Sequence, residues 1–280
     1  MRIFHSIEEC RSWRANQKHT VGLVPTMGAL HPGHLSLVDL SIKNCEKTIV
    51  SIFINPTQFA KNEDMDSYPQ TIDEDLQLLK IKNVDAVFLP KKEQMYNKKS
   101  KDYFFESLLS CKLEGKSRPH FFRGVTTIVH KLFNIIRPTH AVFGQKDAQQ
   151  LLIVGQMIKK KHPSIQLIKG MIVRDSSGLA LSSRNSYLTK KDRLLASNVY
   201  VGLMQIKKSM DSGNKNTKGL KKIFINFIST FPSLSIDYIS IADIETLEEV
   251  GRVEQKVLIS TAVFLNHVRL IDNFVYPLST

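Results

Sequence analysis

Five runs of this 280-residue chain are apolar on both faces and bounded by turn residues. They are T-V-G-L-V-P (20–25), K-T-I-V-S-I-F-I-N-P (47–56), D-A-V-F-L-P (85–90), H-A-V-F-G (140–144) and I-Q-L-I-K-G-M-I-V (165–173). A strand with one wet face alternates apolar and polar residues; a run without alternation reads as a strand covered on both sides. Helical patterns lie between the runs at 34–45, 71–82, 124–136 and 147–160, the first with Leu35, Val38 and Ile42 on one stripe. The second opens T-I-D-E, where Thr71 is expected to cap and Glu74 to reach back. Strand alternating with helix predicts a parallel, doubly wound sheet.

After about residue 175 the rhythm changes. Helical segments at about 190–209 and 216–229 flank the polar linker D-S-G-N-K-N-T-K-G, and β-like runs follow at 235–242, 256–264 and 268–273. The expected fold class is therefore α/β, a Rossmann-like doubly wound parallel sheet over 1–175, followed by a smaller C-terminal α+β domain over 176–280. A chain of this length exceeds the usual single core, which agrees with two domains.

Bulk properties exclude several classes. Apolar residues make up 42% and charged residues 23%, a globular balance. Cys10, Cys45 and Cys111 are widely spaced and odd in number, which argues against a disulfide framework and for a reducing cytoplasm. The N-terminus has charges throughout and no apolar core of a signal peptide, and no segment reaches the length of a membrane span. The net charge of +13 fits either a nucleic-acid binder or a site for polyanionic small molecules. Its lysines are scattered, as in Lys159 to Lys161, and no nucleic-acid module surrounds them, so most of this charge reads as solvated surface.

In open α/β sheets, ligands bind where strand ends turn into helices. The first run ends there, in P-T-M-G-A-L-H-P-G-H. Gly28 and Gly33 let backbone approach a ligand, and Pro32 suits a first helical position. Gly33 and His34 then fall in the first turn, where free amides and a positive dipole end favour phosphate, with two imidazoles as further donors. His31 and His34 as a metal pair is the weaker reading, since no third ligand stands nearby. The second run delivers Asn55 and Gln58, neutral amides suited to a carboxylate or hydroxyl substrate. F-G-Q-K-D-A-Q-Q delivers Lys146, Asp147 and Gln150, and L-S-S-R supplies Ser182, Ser183 and Arg184 as a clamp on a phosphate tail.

P-T-M-G-A-L-H-P-G-H, V-S-I-F-I-N-P-T-Q-F, F-R-G-V-T-T-I-V-H-K-L-F-N, F-G-Q-K-D-A-Q-Q-L and G-L-A-L-S-S-R-N-S-Y-L-T, in that order, closely resemble the pantoate–β-alanine ligase family. The H-x-G-H signature alone marks the wider nucleotidyltransferase superfamily; N-P-T-Q-F with L-S-S-R-N narrows the match. The resemblance implies joining of D-pantoate to β-alanine through a pantoyl adenylate, with ATP cleaved to AMP and pyrophosphate. It implies an ATP site formed by Met27, Gly28, Ala29, Leu30, His31, Pro32, Gly33 and His34, by Gly144, Gln145, Lys146 and Asp147, and by Val173, Leu181, Ser182, Ser183 and Arg184. His34 takes the proton-donor role, with His31, Lys146 and Arg184 beside it in catalysis. Gln58 and Gln150 match pantoate-binding glutamines, Gln58 also touching β-alanine. Magnesium with ATP, a homodimer and a metal-linked carboxylate at Asp75 are also implied.

Pantoate's carboxylate is ionised near neutrality, so attack on the α-phosphate needs no general base. It needs in-line placement and relief of charge on the phosphoryl oxygens, which these donors supply. The sequence departs from the family at two places: Gln145 stands where Glu is usual, and S-R-P-H-F-F-R-G puts His120 and Phe121 where Gly and His are usual. The alternatives are another H-x-G-H adenylyltransferase, which would release an adenylylated product rather than AMP, and a basic nucleic-acid-binding protein, which would bind with strong salt dependence.

Overall fold

The computed structural model describes residues 1–60, 63–96, 105 and 107–277. It divides into two compact units, Met1–Gln145 with Gln149–Met171, and Lys146–Ala148 with Ile172–Thr280.

In the first unit the order is β1 (Arg2–Phe4), α1 (Ile7–Ala15), β2 (Val21–Thr26), α2 (Pro32–Asn44), β3 (Lys47–Ile52), α3 (Ile72–Ile81), β4 (Ala86–Phe88), α4 (Lys92–Met95), α5 (Glu114–Ser117), α6 (Phe121–Ile136), β5 (His140–Gly144), α7 (Ala148–Lys161) and β6 (Gln166–Gly170). The strands form one sheet in the order β1-β4-β3-β2-β5-β6, every pairing parallel. Val24, Val38, Val50, Val87 and Val142 are fully buried in its core. All five expected strands are present and the sheet is doubly wound, but the last run forms the edge strand β6, where Gln166 and Lys169 are exposed rather than covered.

The order reverses between β2 and β5, the crevice where such sheets take ligands. Pairing there stops early: β2 and β5 are in register only at Gly22–His140 and Leu23–Ala141, while β2 follows β3 to Thr26–Ile52. The cause is local. Val21 accepts from Thr139 N, so odd-numbered residues of β2 face β5, and Pro25 has no amide to offer on that side.

Several details differ from expectation. The sequence pattern predicts no element before residue 20, yet β1 and α1 stand there, α1 opened by a reciprocal capping box between Ser6 and Glu9. At Thr71 the expected box is absent: the hydroxyl makes no cap and bonds Asp75 Oδ1 at 3.2 Å. In α2 the buried stripe is Leu37, Val38 and Ser41, with Ile42 exposed. A polar residue is tolerated because Ser41 lies against Gly22, which has no side chain to oppose it, and its hydroxyl bonds Thr48 at 2.8 Å.

The second unit holds α8 (Lys190–Ala196), α9 (Asn198–Asp211), α10 (Thr217–Ile228), β7 (Leu234–Asp243), β8 (Val257–Leu265) and β9 (Val268–Tyr276). The strands form an antiparallel sheet in the order β7-β8-β9. Leu203, Ile206, Leu220, Phe224, Ile241, Ile259 and Val263 are fully buried in its core. The helical run expected at 190–209 is broken at Ser197, whose hydroxyl donates to Leu194 O at 2.8 Å and ends α8.

Candidate active site

The loop Met27–His31 leaves β2 at the switch point and enters α2. His31 is the N-cap and Pro32 the first helical residue. The Gly33 amide donates to His31 Nδ1 at 3.1 Å, which fixes Nδ1 as the acceptor and leaves Nε2 as the N–H of a neutral ring. The His31 and His34 rings lie 4.0 Å apart between centroids at 33°. Both rings are half-buried, so two imidazole edges are presented together beside the positive end of α2.

The expectation of free amides at this turn is overturned. His34 N bonds His31 O at 2.8 Å, and Gly33 N is taken by the His31 ring. Gly28 N donates to Thr26 Oγ1 at 3.2 Å, Ala29 N to Asp75 Oδ2 at 2.9 Å and Leu30 N to Asp75 Oδ1 at 2.7 Å. An anion at this turn would meet side chains and the helix dipole rather than these amides. Asp75 itself is 1% exposed; burial pushes its carboxyl up from the usual range, against the pull of the Leu30 and Ala29 amides and the Thr71 hydroxyl. Gly28 has φ 85° and Ala29 φ 49°, a left-handed pair that the glycine adopts freely and the alanine does not.

The amide side chains of the unit sort into two kinds. Asn55, expected to face substrate, is 1% exposed and fully used: its Nδ2 donates to Gly124 O at 3.1 Å, and its Oδ1 accepts from Tyr96 at 2.6 Å and from the Thr57 hydroxyl at 2.9 Å. It caps the 3₁₀ turn Pro56–Gln58. Gln149 is likewise spent, donating to Leu109 O and Lys112 O and accepting from Glu114 N. The side-chain amides of Gln58 and Gln150 have no hydrogen-bond partner among the described residues, Gln58 being 8% exposed and Gln150 half-buried. Gly144 and the buried Gln145 close β5 next to this segment in the chain.

The backbone that carries Gln58 is held from two sides. Gly124 of α6 lies against it: a Cβ there would stand 2.6 Å from Thr57 C and 2.9 Å from Gln58 N. Arg118 Nη2 donates to Gln58 O at 3.1 Å, and its Nε donates to Glu63 Oε1 at 2.7 Å. The guanidinium sits 4.1 Å over the Phe121 ring, which gives one of the departures from the family pattern a packing role.

In the second unit, Lys146 Nζ lies 3.9 Å from Asp147, and Lys146 O accepts from Asn273 Nδ2 at 2.9 Å. Leu181 N bonds Val173 O at 2.9 Å, closing the loop between them, and Asp175 organises its turn by accepting from Ser177 and Leu179. Ser182 caps the 3₁₀ turn Ser183–Tyr187 through Arg184 N, leaving Ser183 and Arg184 half-buried. Arg174 pairs with both oxygens of Asp272, at 2.6 and 2.8 Å, over the Tyr200 ring at 3.8 Å. Sequence reasoning missed these supports (Asp75 as a loop holder, Arg118, Arg174 and Asp272), because a polar residue that serves another polar residue has no periodic signature. Among the described residues no group of three or more His, Cys, Asp and Glu could hold a metal ion.

The chain matches the family model for pantoate-beta-alanine ligase over residues 2–275. It is 46% identical over 264 residues to the pantothenate synthetase of Pseudothermotoga lettingae, covering 94% of this chain and 93% of that one. The crystal structure of pantothenate synthetase from Thermus thermophilus superposes with a TM-score of 0.93 at 34% identity, covering 98% and 99% of the two chains. That of pantoate-beta-alanine ligase from Francisella tularensis, complexed with beta-gamma ATP and beta-alanine, gives 0.82 at 32% identity, covering 100% and 99%.

Proposed function

The chain belongs to the pantoate–β-alanine ligase family, enzymes that join pantoate to β-alanine, and on that premise we propose that it does so in two steps on ATP. In the first, a pantoate carboxylate oxygen attacks the α-phosphorus, forming pantoyl adenylate and releasing pyrophosphate. In the second, the unprotonated amine of β-alanine attacks the acyl carbon, the amide bond forms and AMP departs. The Francisella relative, captured with beta-gamma ATP and beta-alanine, supports this pair of substrates.

The observation that carries the reading is the contrast among the amides: Gln58 and Gln150 keep theirs unspent while Asn55 and Gln149 give theirs to backbone. Gln58 and Gln150 hold pantoate, and Gln58 also meets β-alanine. The ATP-binding residues on this reading are Met27–His34, Gly144, Gln145, Lys146, Asp147, Val173, Leu181, Ser182, Ser183 and Arg184. The His31 Nε2–H and His34, as proton donor, relieve charge on phosphoryl oxygens; Lys146 and Arg184 do the same with permanent charge. The resemblance also carries a homodimer and magnesium that enters with ATP, and the cysteine usage points to the cytoplasm. No helix among the described residues is long and apolar enough to cross a membrane. Incubation with ATP, magnesium and pantoate, with and without β-alanine, tests the reading. AMP release that depends on both acids is the expected result; a stable adenylylated product would replace it with the superfamily's other reaction.

A further inference from the structure

Asp75 is a buried carboxylate on α3 whose three described partners are all protein donors. Ala29 N reaches Oδ2 at 2.9 Å, Leu30 N reaches Oδ1 at 2.7 Å, and the Thr71 hydroxyl reaches Oδ1 at 3.2 Å. The two amides are consecutive, and they follow the left-handed pair Gly28 and Ala29. Successive amides in such a turn form an anion-binding concavity, the arrangement that loops elsewhere use for phosphate. Here a carboxylate of the same chain fills it. A Cβ on Gly28 would stand 3.1 Å from Oδ2, so the loop backbone lies directly on the carboxylate. That packing does not suit a magnesium ligand, which needs an open octahedral shell at about 2.1 Å.

We propose that Asp75 is the positioning residue of the nucleotide loop, holding Gly28–Leu30 in its left-handed turn so that His31 and His34 point as they do, and that it is not a metal ligand. The proposal rests on the reading of Met27–His34 as the ATP loop. The charge on Asp75 offsets the cost of a left-handed alanine, and the short bonds to Ala29 and Leu30 transmit its position to the histidine cap. An Asn at 75 keeps the shape but presents an N–H₂ where one loop amide must donate, so the turn loses a partner.

The test has three readouts. In the wild-type protein, the Ala29 and Leu30 amides exchange with solvent at rates as slow as those of β2; exchange at exposed-loop rates overturns the proposal without any variant. Asp75→Asn weakens ATP binding about 10- to 100-fold, measured by calorimetry in EDTA as well as in magnesium. Equal affinity of the two proteins in EDTA, or recovery of the variant at high magnesium, makes Asp75 a metal ligand and overturns the proposal. Ala29→Gly raises ATP affinity more in the Asp75→Asn background than it does in the wild type, because glycine holds the turn unaided. Strict additivity overturns the proposal, as a general loss of stability would produce it. A wild-type protein that does not bind ATP at all overturns both this proposal and the reading of the loop; a wild type that binds, with an equally good Asn variant, overturns this one alone.

Discussion

Gly124→Ala sets a methyl group against the backbone that carries Gln58. A methyl at this position meets backbone, not a flexible side chain: 2.6 Å to Thr57 C and 2.9 Å to Gln58 N. Ordinary contact requires about 3.5 Å, so α6 and the Pro56–Gln58 turn must part by about 1 Å. In a helix interior, Gly to Ala contributes about 1 kcal/mol of stabilisation on its own. Overpacking against atoms that cannot rotate away costs about 3 kcal/mol, the upper part of the usual range. The clash wins, and the net effect is about 2 kcal/mol of destabilisation, a fall of about 4–8 °C in thermal midpoint for a domain of this size. The same displacement moves Gln58, and with Gln58 holding pantoate as proposed, a shift of about 1 Å costs on the order of 10²-fold in kcat/KM for pantoate. Gly219→Ala is the control: the nearest atom to its methyl is Asn216 Oδ1 at 3.7 Å, so helix propensity acts unopposed and the variant gains about 0.5–1 kcal/mol. Melting followed by circular dichroism and initial rates with pantoate varied read both effects. A Gly124→Ala protein with wild-type melting and wild-type pantoate kinetics would refute the packing argument.

His34→Ala and Lys146→Ala each lower turnover about 10²- to 10³-fold with melting unchanged; full activity in either purified variant removes that residue from the chemistry. His130 shares a proton site with His162, Nδ1 to Nε2 at 2.9 Å, and bonds Asn134 at 2.8 Å. Burial, with the charges of His162 and Lys161, pushes His130 down to about 4, so the neutral ring stabilises the fold above its unfolded value near 6.5 and that stability is lost as pH falls from there towards 4. With solvent screening at this half-buried pair, the loss is about 1–2 kcal/mol, and His130→Gln should flatten it in urea titrations at pH 7.5 and 5; parallel profiles would contradict the assignment. Among the cysteines, burial pushes the Cys10 thiol up to about 12 and the Cys45 thiol up as well, while Cys111 is exposed. Alkylation at pH 8 followed by intact mass should give one fast adduct, on Cys111; early labelling of Cys10 would show that α1 opens readily.

Five of the six strands were legible as apolar runs; β2 to β5 are largely buried, whereas β6 exposes Gln166 and Lys169, and β1 is too short and exposed to leave such a run. Capping was not legible at the same level. S-I-E-E at Ser6 and T-I-D-E at Thr71 are the same signal in sequence, yet only the first forms a reciprocal box. The difference lies one residue further on, where Asp75 draws the Thr71 hydroxyl to itself. Apolarity alone puts Ile42 in the buried stripe of α2, but Ser41 takes that place because Gly22 leaves it room. Each mismatch comes from a partner that a local window does not contain or does not weigh.

The same separation explains the site. A turn rich in glycine before a helix suggests free amides for phosphate, but the amides of Gly28, Ala29, Leu30, Gly33 and His34 all donate inside the protein. Loops that cradle phosphate with backbone can do so with little help from side chains; this one cannot. On the proposed reading, charge relief at this loop falls to side chains, the imidazoles of His31 and His34 foremost, rather than to backbone amides. The glycines then serve the fold of the loop rather than the ligand. Gly28 makes the left-handed turn over a carboxylate and Gly33 closes the ring cap, so both set where the two histidines stand.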